Sequence, residues 1–192
     1  MPEPIEIVSY DPRWKVRFAE LEVQLRGELG SLATGVEHVG STAVPGLCAK
    51  PIVDIDVVVG PDSDFAAVTE VLARLGYEHK GDLGVEGREF FQLTTAATGE
   101  RDHHLYVCRE DAKELQRHIE FRDRLRADSL LAADYGKLKR ALASRFRNDR
   151  EAYTVAKTEF IEGVLREGRT ALQQSLPSSR TQRDGSRGPD IE

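Results

Sequence analysis

Two aspartates, Asp54 and Asp56, stand two residues apart inside the apolar run Val53 to Val59. A strand alternates its side chains, so both carboxylates project from one face while Val53, Ile55 and Val57 project from the other. Neighbouring carboxylates repel, and burial makes that repulsion costly unless a cation compensates. A hard divalent cation does so and commonly brings substrate phosphates with it; Mg²⁺ is the natural ion, with Mn²⁺ as a substitute. Upstream, Gly40-Ser41-Thr42 leaves the short apolar segment Val36 to Val39. Glycine there lets the backbone approach a ligand, and the hydroxyls and loop amides can donate to phosphate oxygens. Lys50, just before the aspartate run, can reach the same phosphates. Each motif alone also has an ordinary reading, as a half-exposed strand, a turn and a surface lysine. In combination they read as a metal–nucleotide site.

Several elements must position that site. Asp11 suits a helix N-cap and Pro12 the first helical position, opening a helix over about 12–33 with Trp14, Phe18, Leu21, Leu25 and Leu29 on one stripe. A strand over 36–39 enters the Gly-Ser-Thr loop, and the aspartate strand ends at Gly60-Pro61. Asp62 or Ser63 caps a helix over about 64–75, which Gly76 closes. Strands follow at 77–83, 89–94 and 103–107, the last two forming an antiparallel hairpin across a turn at Thr98-Gly99. Arg88 and Arg101 flank these strands, each suited to clamp a phosphate or to pair with a carboxylate. Apolar spacings of three, four and seven then predict helices over about 111–127, 129–147 and 149–171. His38, beside the loop, fits best as a buried, hydrogen-bonded histidine.

The composition is that of an ordinary globular chain: 192 residues, 40% hydrophobic and 31% charged. A net charge of −6 argues against a protein built to coat nucleic acid. The charge is uneven, because residues 113–170 hold 14 Lys/Arg against 10 Asp/Glu, leaving the acidic excess with the remainder of the chain, which holds the aspartate pair. No run approaches bilayer length and the N-terminus has no secretory pattern, so a cytoplasmic location is expected. The two cysteines have no metal-ligand spacing. One domain is expected over 1–172, with a sheet part at about 5–110 and a helical part at about 111–171. A disordered tail over 173–192 follows, poor in core-forming residues.

The chain resembles the GrpB family, a group of nucleotidyltransferase-like proteins, through His38-Val-Gly-Ser-Thr-Ala-Val-Pro-Gly-Leu47, Ala49-Lys-Pro-Ile-Val-Asp-Ile55 and Phe121-Arg-Asp-Arg-Leu125. The resemblance spans about residues 5–168. It implies an α/β (α+β) fold of the nucleotidyltransferase type, a mixed central sheet flanked by helices and continued by a C-terminal helical bundle. It implies Mg²⁺-dependent transfer of a nucleoside monophosphate from an NTP to an acceptor that the sequence does not identify, with Asp54 and Asp56 as catalytic metal ligands. Similar helices cap the nucleotide in that superfamily, which makes Arg122, Lys139 and Lys157 candidate phosphate or base contacts. A third carboxylate usually stands on a later strand. Here the residues available are Asp102, His103 and His104, so the third ligand is His104, or Asp102, or absent. A non-catalytic nucleotide- or partner-binding module, auxiliary to coenzyme A metabolism, is the competing reading, and phosphoester hydrolysis a weaker third.

Overall fold

The computed structural model describes residues 4–93 and 103–175. Five strands form one mixed sheet: β1 (Gly35–Val39), β2 (Val53–Val59), β3 (Tyr77–His79), β4 (Arg88–Leu93) and β5 (His103–Arg109). Their order is β1-β2-β5-β4-β3, with β2 and β5 parallel and every other pair antiparallel. The strand bearing His103 and His104 is therefore the central one, and the aspartate strand lies beside it. The expected hairpin pairing of β4 with β5 is present; its turn at Thr98-Gly99, with Arg101 and Asp102, lies outside the described residues.

Helices α1 (Arg13–Leu29) and α2 (Phe65–Arg74) cover one face of the sheet. Trp14, Leu21, Leu25 and Leu29 of α1 and Val68 and Leu72 of α2 join Val53, Ile55, Val57, Leu105 and Val107 in the main core. The strand alternation thus turns the valines and isoleucine inward to α1 and α2, as their spacing predicts. Asp11 opens α1 by accepting a hydrogen bond from Arg13 N at 2.9 Å. The cap of α2 is Asp64, which accepts from Ala67 N at 3.1 Å, in place of the expected Asp62 or Ser63. A capping carboxylate accepts from an amide two or three residues on, and Asp64, directly before the first helical residue, is the one placed to do so.

The opposite face is covered by α3 (Lys113–Ala127), followed by α4 (Ser129–Arg145) and α5 (Arg150–Ser175). Val58 and Cys108 pack there on Ala112 and Leu115 at the start of α3. α3, α4 and α5 build a second apolar cluster around Leu125 and Tyr135, joined by Val44 and Leu47 from the segment after β1. The mixed α/β class and helical C-terminal part are those expected. β3 is shorter than predicted because the chain turns at Gly81, Gly84 and Gly87, each with positive φ. α5 continues to Ser175, past the expected end near 171, through the good helix formers Ala171, Leu172 and Gln173. The remainder of the proposed tail lies outside the described residues.

Candidate metal–nucleotide site

The site begins at Gly40. Its φ of 70° is one that side-chain-bearing residues rarely adopt, and a Cβ built on it would lie 2.3 Å from Asp54 Oδ2. Glycine is required here twice over, by conformation and by the approach of the loop to the carboxylate. After it, Ser41–Ala43 forms a single 3-10 turn. Ser41 stays half-buried beside the Tyr135 hydroxyl. Thr42 is buried, and its Oγ1 lies 3.0 Å from His38 Nε2, on the α1 side of the sheet.

On β2, Asp54 and Asp56 share the face turned away from α1 and α2. Asp54 is half-buried, and its Oδ1 lies 3.0 Å from His104 Nδ1 on the adjoining β5. Asp56 is fully buried: Oδ2 lies 2.7 Å from His118 Nδ1 of α3, and Oδ1 has no hydrogen-bond partner. His118 Nε2 in turn lies 3.3 Å from Glu114 Oε1, making an Asp56–His118–Glu114 chain between sheet and helix. Burial alone would depress the His118 pKa, but the hydrogen bonds and charges of Asp56 and Glu114 outweigh it and raise it to about 9. The imidazolium therefore compensates the buried carboxylate.

These residues test the fit of a hard divalent ion. Two neighbouring oxygen-donor side chains, one with an orphaned buried oxygen, suit Mg²⁺, which is commonly held by one or two carboxylates with water and substrate phosphates completing the shell. Among the described residues no group of three His, Cys, Asp or Glu side chains is arranged to hold a metal. His104 is a hydrogen-bond partner of Asp54. His103 points to the other face, with Nε2 2.7 Å from the Tyr77 hydroxyl, which removes it from the candidates for a third ligand.

The basic candidates divide into two groups. Lys50 and Lys157 lie over the Tyr153 ring, at 4.7 and 4.5 Å from its centroid. Burial, and then the neighbouring Lys50 charge, lowers the Lys157 pKa to about 8, while Asp54 pulls the other way. Burial likewise lowers Lys50, opposed by Asp54. Two ammonium groups thus sit within the electrostatic range of the Asp54 carboxylate, on elements far apart in sequence. The second group is tied to protein acceptors. Lys139 is buried, donates to the Cys48 carbonyl and has its pKa lowered by burial to about 7. Arg122 is buried and donates to Glu37 Oε2 at 2.7 Å and to the His38 carbonyl at 3.0 Å. Arg88 stacks on Tyr106 at 4.7 Å and faces Glu114 at 3.9 Å. Lys139, Arg122 and Thr42 hydrogen-bond within the fold and build the walls of the site, whereas the buried Nε of Arg88 has no hydrogen-bond partner among the described residues. Arg101 lies outside the described residues.

Sequence reasoning missed Glu37, Glu114 and His118. Glu37 is the register partner of Asp56 on β1 and so shares its face. Glu114 and His118, four apart, fall on one side of α3; that spacing was the available signal.

A profile of the GrpB protein family matches residues 4–167, which includes the turn, both aspartates and the lysines. UPF0157 protein BH1888 of Halalkalibacterium halodurans is 35% identical over 162 residues, 84% of this chain and 81% of that protein. The crystal structure of GrpB from Enterococcus faecalis superposes with a TM-score of 0.77 at 31% identity, covering 88% of this chain and 99% of the other. A dephospho-CoA kinase of Mycolicibacterium paratuberculosis is 26% identical over 85% of this chain, which spans 46% of that protein. With the profile matched over nearly all the described residues and a solved relative aligned end to end, the chain belongs to the GrpB family.

Proposed function

We propose that this protein transfers a nucleoside monophosphate from an NTP to an acceptor hydroxyl at the Asp54/Asp56 face. The observation that carries the reading is the buried, unpartnered Oδ1 of Asp56 beside Asp54, whose charge acts on the Lys50 and Lys157 ammonium groups. Asp54 and Asp56 would hold Mg²⁺, whose charge would make the α-phosphate electrophilic and stabilise the leaving pyrophosphate. The close approach at Gly40 brings Ser41 and the turn backbone beside Asp54, where they would line the phosphates. Lys50 and Lys157 neutralise their charge, and the Tyr153 ring fixes both lysines. The Asp56–His118–Glu114 chain holds the buried carboxylate in place and supplies its compensating charge. The acceptor hydroxyl loses its proton as it attacks, and the carboxylates of the site are the groups that would take it.

A second reading, a non-catalytic nucleotide- or partner-binding module, is favoured by one specific observation: each aspartate already has a histidine partner. The similarity to a dephospho-CoA kinase supports an auxiliary role in coenzyme A metabolism under that reading. Incubation with each α-labelled NTP, Mg²⁺ and a cell-derived pool of small molecules and RNA separates the two. Transfer predicts a labelled adduct with pyrophosphate released in equal amount, both abolished by Asp54→Asn. Orthophosphate release, or no labelled product, overturns it.

A further inference from the structure

A second pocket opens on the other side of the Gly40–Ala43 turn. It is half-open, encloses about 840 Å³ and is bounded by α1, the segment from Thr42 to Cys48, the end of α3 and one side of α4. Its size is that of a site for a molecule of a few hundred daltons. The floor is apolar and buried, made by Ala43, Leu47, Leu125 and Ala132, with the Phe18 ring at one wall. Four basic residues, Lys15, Arg126, Lys137 and Arg140, complete the lining, and all four are exposed. Among the described residues no carboxylate lines the pocket.

Two of the four are partly neutralised by neighbours outside the pocket. Lys137 pairs with Asp134 at 2.8 Å, and Arg126 with Asp123 at 3.5 Å while its Nε donates to the Ala43 carbonyl. Lys15 and Arg140, from α1 and α4, bring positive charge to the same opening. His38 also lines the pocket; it is stacked on Phe18 with centroids 4.6 Å apart. Burial, followed by the Arg126 charge, lowers its pKa to about 4, so it presents a neutral ring. An apolar floor under a rim of cations selects by two terms at once: apolar area removed from water, and attraction for an anionic group. A neutral apolar molecule gains only the first, and a small inorganic anion only the second.

We infer that this pocket is a second ligand site, taking a small molecule with an apolar, ring-sized body and one anionic group, separate from the Asp54/Asp56 face. The body stacks beside Phe18 and His38 over Leu47 and Leu125, and the anion meets Lys15 and Arg140 at the mouth. Its wall, Thr42 and Ala43, follows directly on Gly40 and Ser41, so the two sites share one turn.

The test uses the full chain and 8-anilinonaphthalene-1-sulfonate, whose aromatic body and single sulfonate match the inferred class. Fluorescence titration of the folded protein is expected to give one saturable site, weakening with added NaCl. Uncharged N-phenyl-1-naphthylamine should bind roughly tenfold more weakly or worse, having lost the electrostatic term. Ala133→Trp, which fills the pocket from an exposed position on α4, and the double substitution Lys15→Glu/Arg140→Glu should each weaken binding by about the same factor. Each variant's unchanged melting midpoint shows that it is folded. Asp54→Asn should bind the dye like the wild type, so failure of the proposed transfer reaction leaves this inference standing. No binding, equal affinity for the uncharged analogue, wild-type affinity in both pocket variants, or loss of binding in Asp54→Asn would each overturn it.

Discussion

At the scale of single residues, the site depends on one glycine and on lysines whose charge is costly to keep. Gly40→Ala forces a Cβ to within 2.3 Å of Asp54 Oδ2 in a left-handed backbone. The conformation alone costs about 1–2 kcal/mol, and the clash either adds to this or displaces the carboxylate. Urea unfolding should therefore show a loss of at least about 1 kcal/mol, with nucleotide binding reduced in the protein that remains folded. Lys157 gives a pH signature. Its folded pKa of about 8 lies below the ordinary 10.5, so the cost of its buried charge is fully present below pH 8 and is lifted between pH 8 and 10.5. Lys157→Met should consequently be more stable than the wild type at pH 7, and the gap should close as pH approaches 10.5. A gap independent of pH would show that Lys157 keeps its proton throughout. The residues legible in the sequence were those whose own neighbours announce them: Asp54 and Asp56 by their spacing of two, and Gly40 and Ser41 by the turn.

At the scale of elements, what matters is how α3 docks on the sheet. α3 brings His118 across a separation of 62 residues to Asp56, and Arg122 across 85 residues to Glu37. These contacts were not legible. The apolar spacing within a helix fixes which side faces inward, but the polar residues at the edge of that side meet partners set by its position and rotation over the sheet. Arg122 illustrates the point: the sequence offered a cation on a helix beside the site, and the fold engages it with Glu37 and the His38 carbonyl. Strand faces were legible because alternation by two leaves no such freedom. The Asp56–His118 contact carries its own prediction. With a folded pKa of about 9 against an ordinary 6.5, the imidazolium contributes stability that is complete below pH 6.5 and is lost as pH rises through 9. His118→Gln should be less stable than the wild type by about 1–3 kcal/mol at pH 6. The difference should shrink above pH 9; a constant deficit would assign His118 a packing role alone.

At the scale of the whole molecule, the chain joins an acidic sheet to a basic helical part, and the proposed nucleotide site lies where they meet. Both aspartates come from β2, the Gly40–Ala43 turn from the sheet's rim, and Lys157 from α5, with Tyr153 beneath it. No described helix is long and apolar enough to cross a membrane. The class of fold and order of elements could be read from apolar periodicity; the second pocket could not, because its floor and rim come from three helices and a connecting segment. The most direct test of the central claim is the melting midpoint of the protein with Mg²⁺ and each of the four NTPs, against Asp54→Asn/Asp56→Asn. Ligand binding to the folded state alone raises the midpoint by mass action, by about 2.7 kcal/mol of stability at a hundredfold excess over Kd. A metal–nucleotide site at Asp54 and Asp56 predicts a shift with at least one nucleotide that requires Mg²⁺ and disappears in the double variant. No shift with any nucleotide, or a shift that survives the loss of both carboxylates, would contradict it.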